Sequence, residues 1–390
     1  MYYVGVDVHK SRSSVEILDA NGKTVKRFEV KGDWSVLNDR MAELPKPFSV
    51  CYEASCGYGY LHEQFSAHAQ SVRVAHPGKL AMIYRSKHKN DRLDAGRLAR
   101  LLMLDMVPAV HVPPAKVRQW RQTIEFRQRL LAGRVRVKNR LRALLRGLAI
   151  KTPKNLWTKK SLAWVSELAL DDASGLQRDL LVSEFQESTV KIKRVEMYLK
   201  KVSEECPAVT LLRTMPGVGP RTAEALVAYL DDIKRFARIK QVGCYLGLVP
   251  CQDASADKNR LGHITREGPA TVRKLLCEAS WVAIRKSPRV KEFFERVMRN
   301  DKERKKIALV ATAHYLARVA GAMLRSGECW RERDEPAAVG VPQAPPVVAQ
   351  PSGAGRTHKA PKRSPRPLGD APEVQRVSPP PPLSASPVSS

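Results

Sequence analysis

Asp7, Glu53, Asp91 and Asp94 are the residues of this chain best placed to do chemistry. Asp7 interrupts the apolar run Tyr2-Tyr3-Val4-Gly5-Val6-Asp7-Val8, and Glu53 ends Phe48-Ser49-Val50-Cys51-Tyr52-Glu53. Asp91 and Asp94 open a helical stretch with i,i+3 spacing, which sets both on one face. Carboxylates gathered from two strand ends and a helix start repel one another unless a cation neutralises them. Hard oxygen donors suit Mg²⁺. Two such ions about 4 Å apart clamp the attacking and leaving oxygens of a phosphodiester. Taken singly, each acid has a plainer role: Asp91 as a helix N-cap, Asp94 as a partner of Arg97, Asp7 as a strand-end acid. Their joint placement points to metal-dependent nuclease, resolvase or transposase chemistry.

Placing them requires a particular order of elements. The apolar pattern predicts strands at Tyr2–Val8, Ser14–Leu18 and Val25–Val30, the last two joined through Asn21-Gly22, a strong hairpin signal. A helix near Val36–Leu44 is stopped by Pro45 and Pro47. A strand at Ser49–Glu53, a helix at Tyr60–Ala69, a strand at Val72–Ala75 and a helix from Asp91 to Met103 follow. Three antiparallel strands and then α-β-α-β-α is the order of the α/β ribonuclease H-like fold. That fold sets carboxylates on its first strand, fourth strand and last helix, where Asp7, Glu53 and the Asp91/Asp94 pair fall.

Four divisions are expected: residues 1–110 as the α/β catalytic domain, 111–206 as a basic helical arm, 207–330 as a mostly helical domain, and 331–390 as a disordered tail. Residues 115–150 hold eleven Lys or Arg and one acid, Glu125. Leu130, Val137, Leu141, Leu144 and Leu148 recur at roughly heptad spacing beside Arg134, Lys138 and Arg142, as in a coiled-coil arm that dimerises and lies along nucleic acid. The plainer alternative is a solvated helix packed on its own domain. A helix over Asp179–Glu205 is the candidate antiparallel partner. In Met215-Pro216-Gly217-Val218-Gly219-Pro220-Arg221, a tight glycine turn before a helix exposes backbone N–H groups to a phosphate, making Gly217, Gly219 and Arg221 candidate nucleic-acid contacts. Other basic patches are Arg85–Lys89 and Arg299–Lys306. The tail holds fourteen of the 27 prolines.

The formal net charge of +29 favours a polyanionic partner, with nucleic acid ahead of a membrane surface. The tail carries eight basic and five acidic residues, which leaves +26 on the rest of the chain. The seven cysteines form no C-x-x-C pair, which argues against zinc and disulfide frameworks and for a reducing cytoplasm. The chain has neither a signal-peptide pattern nor an apolar run of membrane length, so no membrane role is expected.

Three segments, Gly5-Val6-Asp7-Val8-His9-Lys10, Tyr52-Glu53-Ala54-Ser55 and Lys89-Asn90-Asp91-Arg92-Leu93-Asp94-Ala95, resemble the DEDD motifs of the IS110 family of bacterial insertion-sequence transposases. Met215–Gly219, Gly247-Leu248-Val249-Pro250 and Gly262-His263-Ile264-Thr265-Arg266-Glu267-Gly268 resemble that family's C-terminal transposase domain, so the likeness spans about residues 2–325. The resemblance implies a RuvC-like catalytic domain using Mg²⁺ and a serine nucleophile that forms a phosphoserine link. That serine lies five residues after the Gly-Leu-x-Pro proline, at Ser255. It also implies donor and target DNA, a structured guide RNA, and a homodimer assembling to a homotetramer in the bacterial cytoplasm, on the nucleoid. Two positions depart from the family pattern: Ala256 stands where glycine often follows the serine, and Asn90 where threonine precedes the first helix aspartate. Without the resemblance, Ser255 reads as a loop serine in a polar turn. The competing readings are a Holliday-junction-type nuclease using water, and a non-catalytic nucleic-acid-binding protein.

Overall fold

The N-terminal strands form one mixed sheet because their apolar residues alternate onto two faces. β1 (Tyr2–Asp7), β2 (Arg12–Leu18) and β3 (Thr24–Lys31) make an antiparallel meander. The β2–β3 turn is closed by Asp19, whose carboxylate accepts the N–H groups of Asn21 and Lys23 at 2.9 Å. Helix α1 (Trp34–Ala42) is capped by Asp33, and leads to β4 (Phe48–Glu53), α2 (Tyr58–Ser66) and β5 (Ser71–Ala75). Then come α3 (Pro77–Ile83) and α4 (Asp91–Met103). The sheet order is β3-β2-β1-β4-β5, with β4 parallel to both β1 and β5, the ribonuclease H-like arrangement. The structure is a computed structural model describing residues 1–83, 91–255 and 258–332, with the side chains of 91–93 and 253–260 outside that description.

The two faces of the sheet have different partners. Val4, Val6, Val50 and Tyr52 pack with Leu37 and Met41 of α1 and Leu61 and Phe65 of α2. On the other face, Tyr3 and Cys51 meet Leu98, Leu101 and Leu102 of α4. Glu16 of β2 is fully buried and is held by Arg27 at 2.7 Å and by the Thr24 hydroxyl at 3.0 Å.

Beyond the sheet, α5 (Ala115–Gly147) and α7 (Asp172–Glu204) are two 33-residue helices, with α6 (Lys159–Ser166) near their junction. They run antiparallel, since Arg127 bonds Glu196, Val137 packs near Phe185, and Leu141 and Leu145 share a cluster with Val182. The seam includes Val137 and Leu141 as expected, but Leu145 is buried while Leu148 is 37% exposed. The pattern follows the 3.6-residue helical period rather than a strict heptad. α7 starts at Asp172, ahead of the expected Asp179, because Asp171 caps it by accepting the Ser174 N–H at 3.0 Å.

The arm is rooted in the helical core that follows. Trp120, Ile124 and Leu199 belong to the cluster built from α8 (Pro207–Arg213), α9 (Pro220–Leu230), α10 (Lys240–Tyr245), α11 (Ala270–Lys286), α12 (Pro288–Met298) and α13 (Lys305–Ser326). Glu125 ties the root down: it accepts the Tyr229 hydroxyl at 2.5 Å and the Thr271 hydroxyl at 2.9 Å. A hairpin not foreseen in the sequence, β6 (Pro250–Ser255) and β7 (Lys258–Ile264), interrupts the helices. One expectation is corrected here: the stretch Lys302–Ser326 is long and apolar enough to cross a membrane by composition. Its apolar face, with Ala313, Leu316, Ala317, Ala320 and Met323, packs into the C-terminal core. The seven cysteines are free. The expected disordered tail (331–390), from residue 333 on, and the Arg85–Lys89 patch lie outside the described residues.

Candidate active site

Strand register puts two of the acids side by side. Val6 and Tyr52 are the last paired residues of β1 and β4, so Asp7 and Glu53 leave neighbouring parallel strands together, about 4.8 Å apart in backbone spacing. Both occupy the odd-numbered positions of their strands, the face of Gly5 and Cys51 that α4 covers.

Helix α4 is positioned by Gly5. A Cβ there would lie 2.6 Å from the Ala99 nitrogen and closer still to the Ala95 carbonyl oxygen, so only glycine lets the helix seat on β1. The opposite end of α4 is fixed by Met103, whose side chain lies over Gly22 in the β2–β3 turn, at the N-terminal end of β1. α4 therefore runs antiparallel to β1, and its first turn covers the edge where Asp7 and Glu53 emerge. At about 3.3 Å per strand residue, Asp7 lies about 7 Å beyond Gly5. At about 1.5 Å per helical residue, Asp94 and Asp91 stand about 4.5 Å and 9 Å beyond the helix midpoint over Gly5, bracketing that level. Asp91 opens α4 as expected, and its side chain lies outside the described residues.

The side chains have local partners. Asp7 meets the His9 ring at 3.2 Å, and Asp94 accepts Arg97 at 3.0 Å. The Asp94–Arg97 contact is the plain i,i+3 pair expected as the alternative to a ligand role. Both acids are partly shielded, with side chains 17% and 31% exposed, while Glu53 is exposed. Among the described residues, no three His, Cys, Asp or Glu side chains stand close enough to hold a metal. The oxygen donors at this edge nevertheless have the hard-ligand chemistry that suits a divalent cation.

Ser255 is the last residue of β6, at a strand end instead of in the loop expected, and its side chain and Ala256 lie outside the described residues. Of the glycine-turn residues, Gly217 is accounted for by packing. Its φ is +80°, and a Cβ would meet the α11 backbone at Ala283, 2.7 Å away. Arg221 turns inward to Glu224 at 2.7 Å and to the Glu196 carbonyl. Burial pushes Glu224 up to about 7 despite the Arg221 charge. Gly219 caps α9 with open space on its Cβ side, so the phosphate-cradle idea rests on it alone. In the arm, Lys138 and Arg142 lie over the Trp157 ring at 4.8 and 5.2 Å, and burial, with Arg134 and Arg142 nearby, lowers the Lys138 pKa. Arg142 also lines a cavity of about 400 Å³ with Arg146 and Lys151 at the arm tip.

A ribonuclease H-like sheet with acids at the exit of its first and fourth strands defines a nucleic-acid-processing enzyme domain. The comparisons narrow this. Residues 4–150 match the DEDD transposase model of the IS110 type, and residues 209–295 match the Transposase IS116/IS110/IS902 family. The chain is 28% identical over 344 residues to the transposase for insertion sequence element IS1111A of Coxiella burnetii, covering 84% of this chain and 91% of that one. It is 26% identical over 335 residues to the transposase for insertion sequence element IS1328 of Yersinia enterocolitica, covering 83% and 97%. The chain belongs to the IS110 family of DEDD transposases, enzymes of DNA recombination. DNA is its substrate, and its DEDD domain is of the divalent-metal type.

Sequence reasoning did not single out Gly5 as the seat of α4, although a small residue between the apolar strand positions Val4 and Val6 was a signal for close backbone approach. It also passed over His9, the pairing of buried Glu16 with half-exposed Arg27, and the aromatic pair Trp34–Tyr60 beside the acidic edge.

Proposed function

We propose that the chain moves an insertion sequence by cutting and exchanging DNA strands, with labour divided among a RuvC-like domain (1–110), a coiled-coil arm (111–206) and a serine-bearing domain (207–330). Asp7, Glu53, Asp91 and Asp94 would hold Mg²⁺ at the exit edge of β1 and β4. Bound there, the cation would supply charge neutralisation at the phosphodiester. The observation that carries this reading is the register that brings Asp7 and Glu53 to one edge beneath the first turn of α4.

Ser255 is the nucleophile in this reading. Its Oγ forms the bond to phosphorus, the P–O bond of the strand breaks, and the released sugar hydroxyl keeps an electron pair and gains a proton. Attack of a second strand's hydroxyl on the phosphoserine reverses the bookkeeping of bonds, so no ATP is required. A serine hydroxyl needs an adjacent base or cation, which the acidic edge of the same or a neighbouring subunit would provide.

The +26 carried outside the tail supports a guide RNA alongside donor and target DNA, with sequence reading delegated to base pairing. Arg134, Lys138, Arg142 and Gly219 remain the proposed nucleic-acid contacts, while close packing on α11 accounts for Gly217 and the Glu224 ion pair for Arg221. Leu176, Leu180, Val190 and Met197 leave an exposed apolar stripe on α7, which supports a homodimer through the arm and pairing of dimers into a tetramer. Work on the bacterial nucleoid in the cytoplasm follows from the substrate.

Strand joining by Asp7→Asn and Ser255→Ala tests the reading. Asp7→Asn is expected to bind donor DNA as the wild type does and to abolish joining. Ser255→Ala is expected to abolish joining too. Continued joining by Ser255→Ala would favour water as nucleophile, hence a Holliday-junction-type nuclease. Continued joining by Asp7→Asn would leave only a binding protein's role for the acidic edge.

A further inference from the structure

Trp34 and Tyr60 stand on the rim of the acidic edge, on the opposite side of the sheet from α4. Trp34 opens α1 just after the end of β3, and Tyr60 lies in the first turn of α2, which follows β4 and Glu53. The Trp34 indole N–H donates to the His9 carbonyl at 3.1 Å, which fixes the ring two residues past Asp7. The two rings stack with centroids 6.3 Å apart and 30° between planes. Gly57, at φ +78°, lies against the Trp34 ring, and a Cβ there would collide with it. The indole is thus fixed by its N–H bond and by the Gly57 backbone.

Core packing explains only part of this pair. Trp34 and Tyr58 pack against the α1/α2 core, whereas Tyr60 is outside that cluster and 45% exposed. Lys10 and Arg12 follow His9 closely in the chain and are exposed, with Arg12 bonded to Glu29 at 3.4 Å, and the His9 side chain is 54% exposed. A fixed aromatic face with basic residues beside it is the composition of a base-stacking platform, because every base has a π-face and every nucleotide brings a phosphate.

We propose that Trp34 and Tyr60 form a stacking platform for one unpaired base of the DNA strand being cut, positioning its phosphate toward the Asp7–Glu53 edge. The proposal rests on the cleavage reading above, and it makes Tyr60 a positioning residue of the reaction. Stacking on one ring strengthens binding of the strand by about tenfold or more.

The test uses the full chain and oligonucleotides from the element's own ends, with 2-aminopurine placed at each position in turn. Wild-type protein is expected to quench one position near the cleaved phosphate. Tyr60→Ala should lose that quenching and bind the strand about tenfold more weakly, with its melting temperature unchanged. Tyr60→Phe should restore both, since the ring and not the hydroxyl does the stacking. An abasic site at the quenched position should remove the difference between Tyr60→Ala and wild type. Equal quenching by Tyr60→Ala and wild type, or failure of Tyr60→Phe to restore it, refutes the platform. If wild type cuts the strand while quenching no position, the platform falls and the cleavage reading stands. If wild type neither binds nor cuts, both fall.

Discussion

Replacing Gly5 with alanine adds a single methyl group where the structure has no room for it. The added Cβ would lie 2.6 Å from the Ala99 nitrogen, with the Ala95 carbonyl oxygen nearer still, whereas ordinary contact begins near 3.4 Å. Both opposing atoms are helix backbone and cannot turn aside. α4 must therefore retreat from β1 by about 1 Å, an overpacking that costs on the order of 1–3 kcal/mol. The retreat carries Asp94 and the start of α4 away from Asp7 and Glu53. A misplacement of about 1 Å in a catalytic constellation costs roughly a hundredfold in rate. Donor-strand cleavage by Gly5→Ala should fall by about that factor while DNA affinity, spread over many phosphate contacts, stays within about twofold. The control is Gly133→Ala in α5, whose Cβ would meet only the end of the Arg136 side chain, at an ordinary 3.8 Å. It should lose far less activity. Wild-type cleavage by Gly5→Ala would show that the seat of α4 does not set the geometry of the acids.

Other outcomes follow from buried charge and exposed apolar surface. Arg27→Met leaves the fully buried Glu16 carboxylate with only the Thr24 hydroxyl, so urea unfolding should show a loss of about 3 kcal/mol. The double change Arg27→Met with Glu16→Leu should recover most of it, and a loss no smaller than in the single variant would contradict the argument. Glu224 has its pKa raised by burial to about 7 from an ordinary 4.5. Between those values the native state holds more protons than the unfolded chain, so this group's contribution to stability falls as pH rises from about 4.5 and levels off above 7. Glu224→Gln should gain on the order of 2 kcal/mol relative to wild type on moving from pH 5 to pH 8, read as the difference in guanidinium midpoints. An identical pH slope in both proteins would refute it. Changing Leu180 and Val190 together to Lys should shift a dimer to monomer in sedimentation, and an unchanged oligomer would remove the α7 stripe from the interface.

Much of the catalytic edge was legible because strand alternation and element order are long-period signals. The Asn21-Gly22 turn, the three-strand meander and the Asp91–Met103 helix follow from local chemistry, and once ordered they bring Asp7 and Glu53 to one edge. The β6–β7 hairpin was not legible, because Gln252-Asp253-Ala254-Ser255 is polar and shows no alternation. Cross-strand pairing, a non-local term, makes it a strand. The glycine turn misled for a related reason. A Met-Pro-Gly-Val-Gly segment reads equally as a phosphate cradle or as a close helix contact, and only the position of α11 shows that Gly217 makes the second. Arg221 looked like a phosphate ligand until Glu224, three residues on and buried, claimed it. The seam of α5 shifted from Leu148 to Leu145 because a 3.6-residue period drifts off a heptad within two turns of register.

The central claim is that the acids leaving β1 and β4 beneath α4 form one cation-binding edge. Anomalous scattering from Mn²⁺ in crystals of the protein bound to uncut DNA locates that edge directly. The account expects a peak about 2.1 Å from carboxylate oxygens of Asp7 and Glu53, with helix α4 supplying further oxygen, and its loss in Asp7→Asn. A bound ion elsewhere on the chain, with Asp7 and Glu53 left facing solvent, would contradict it.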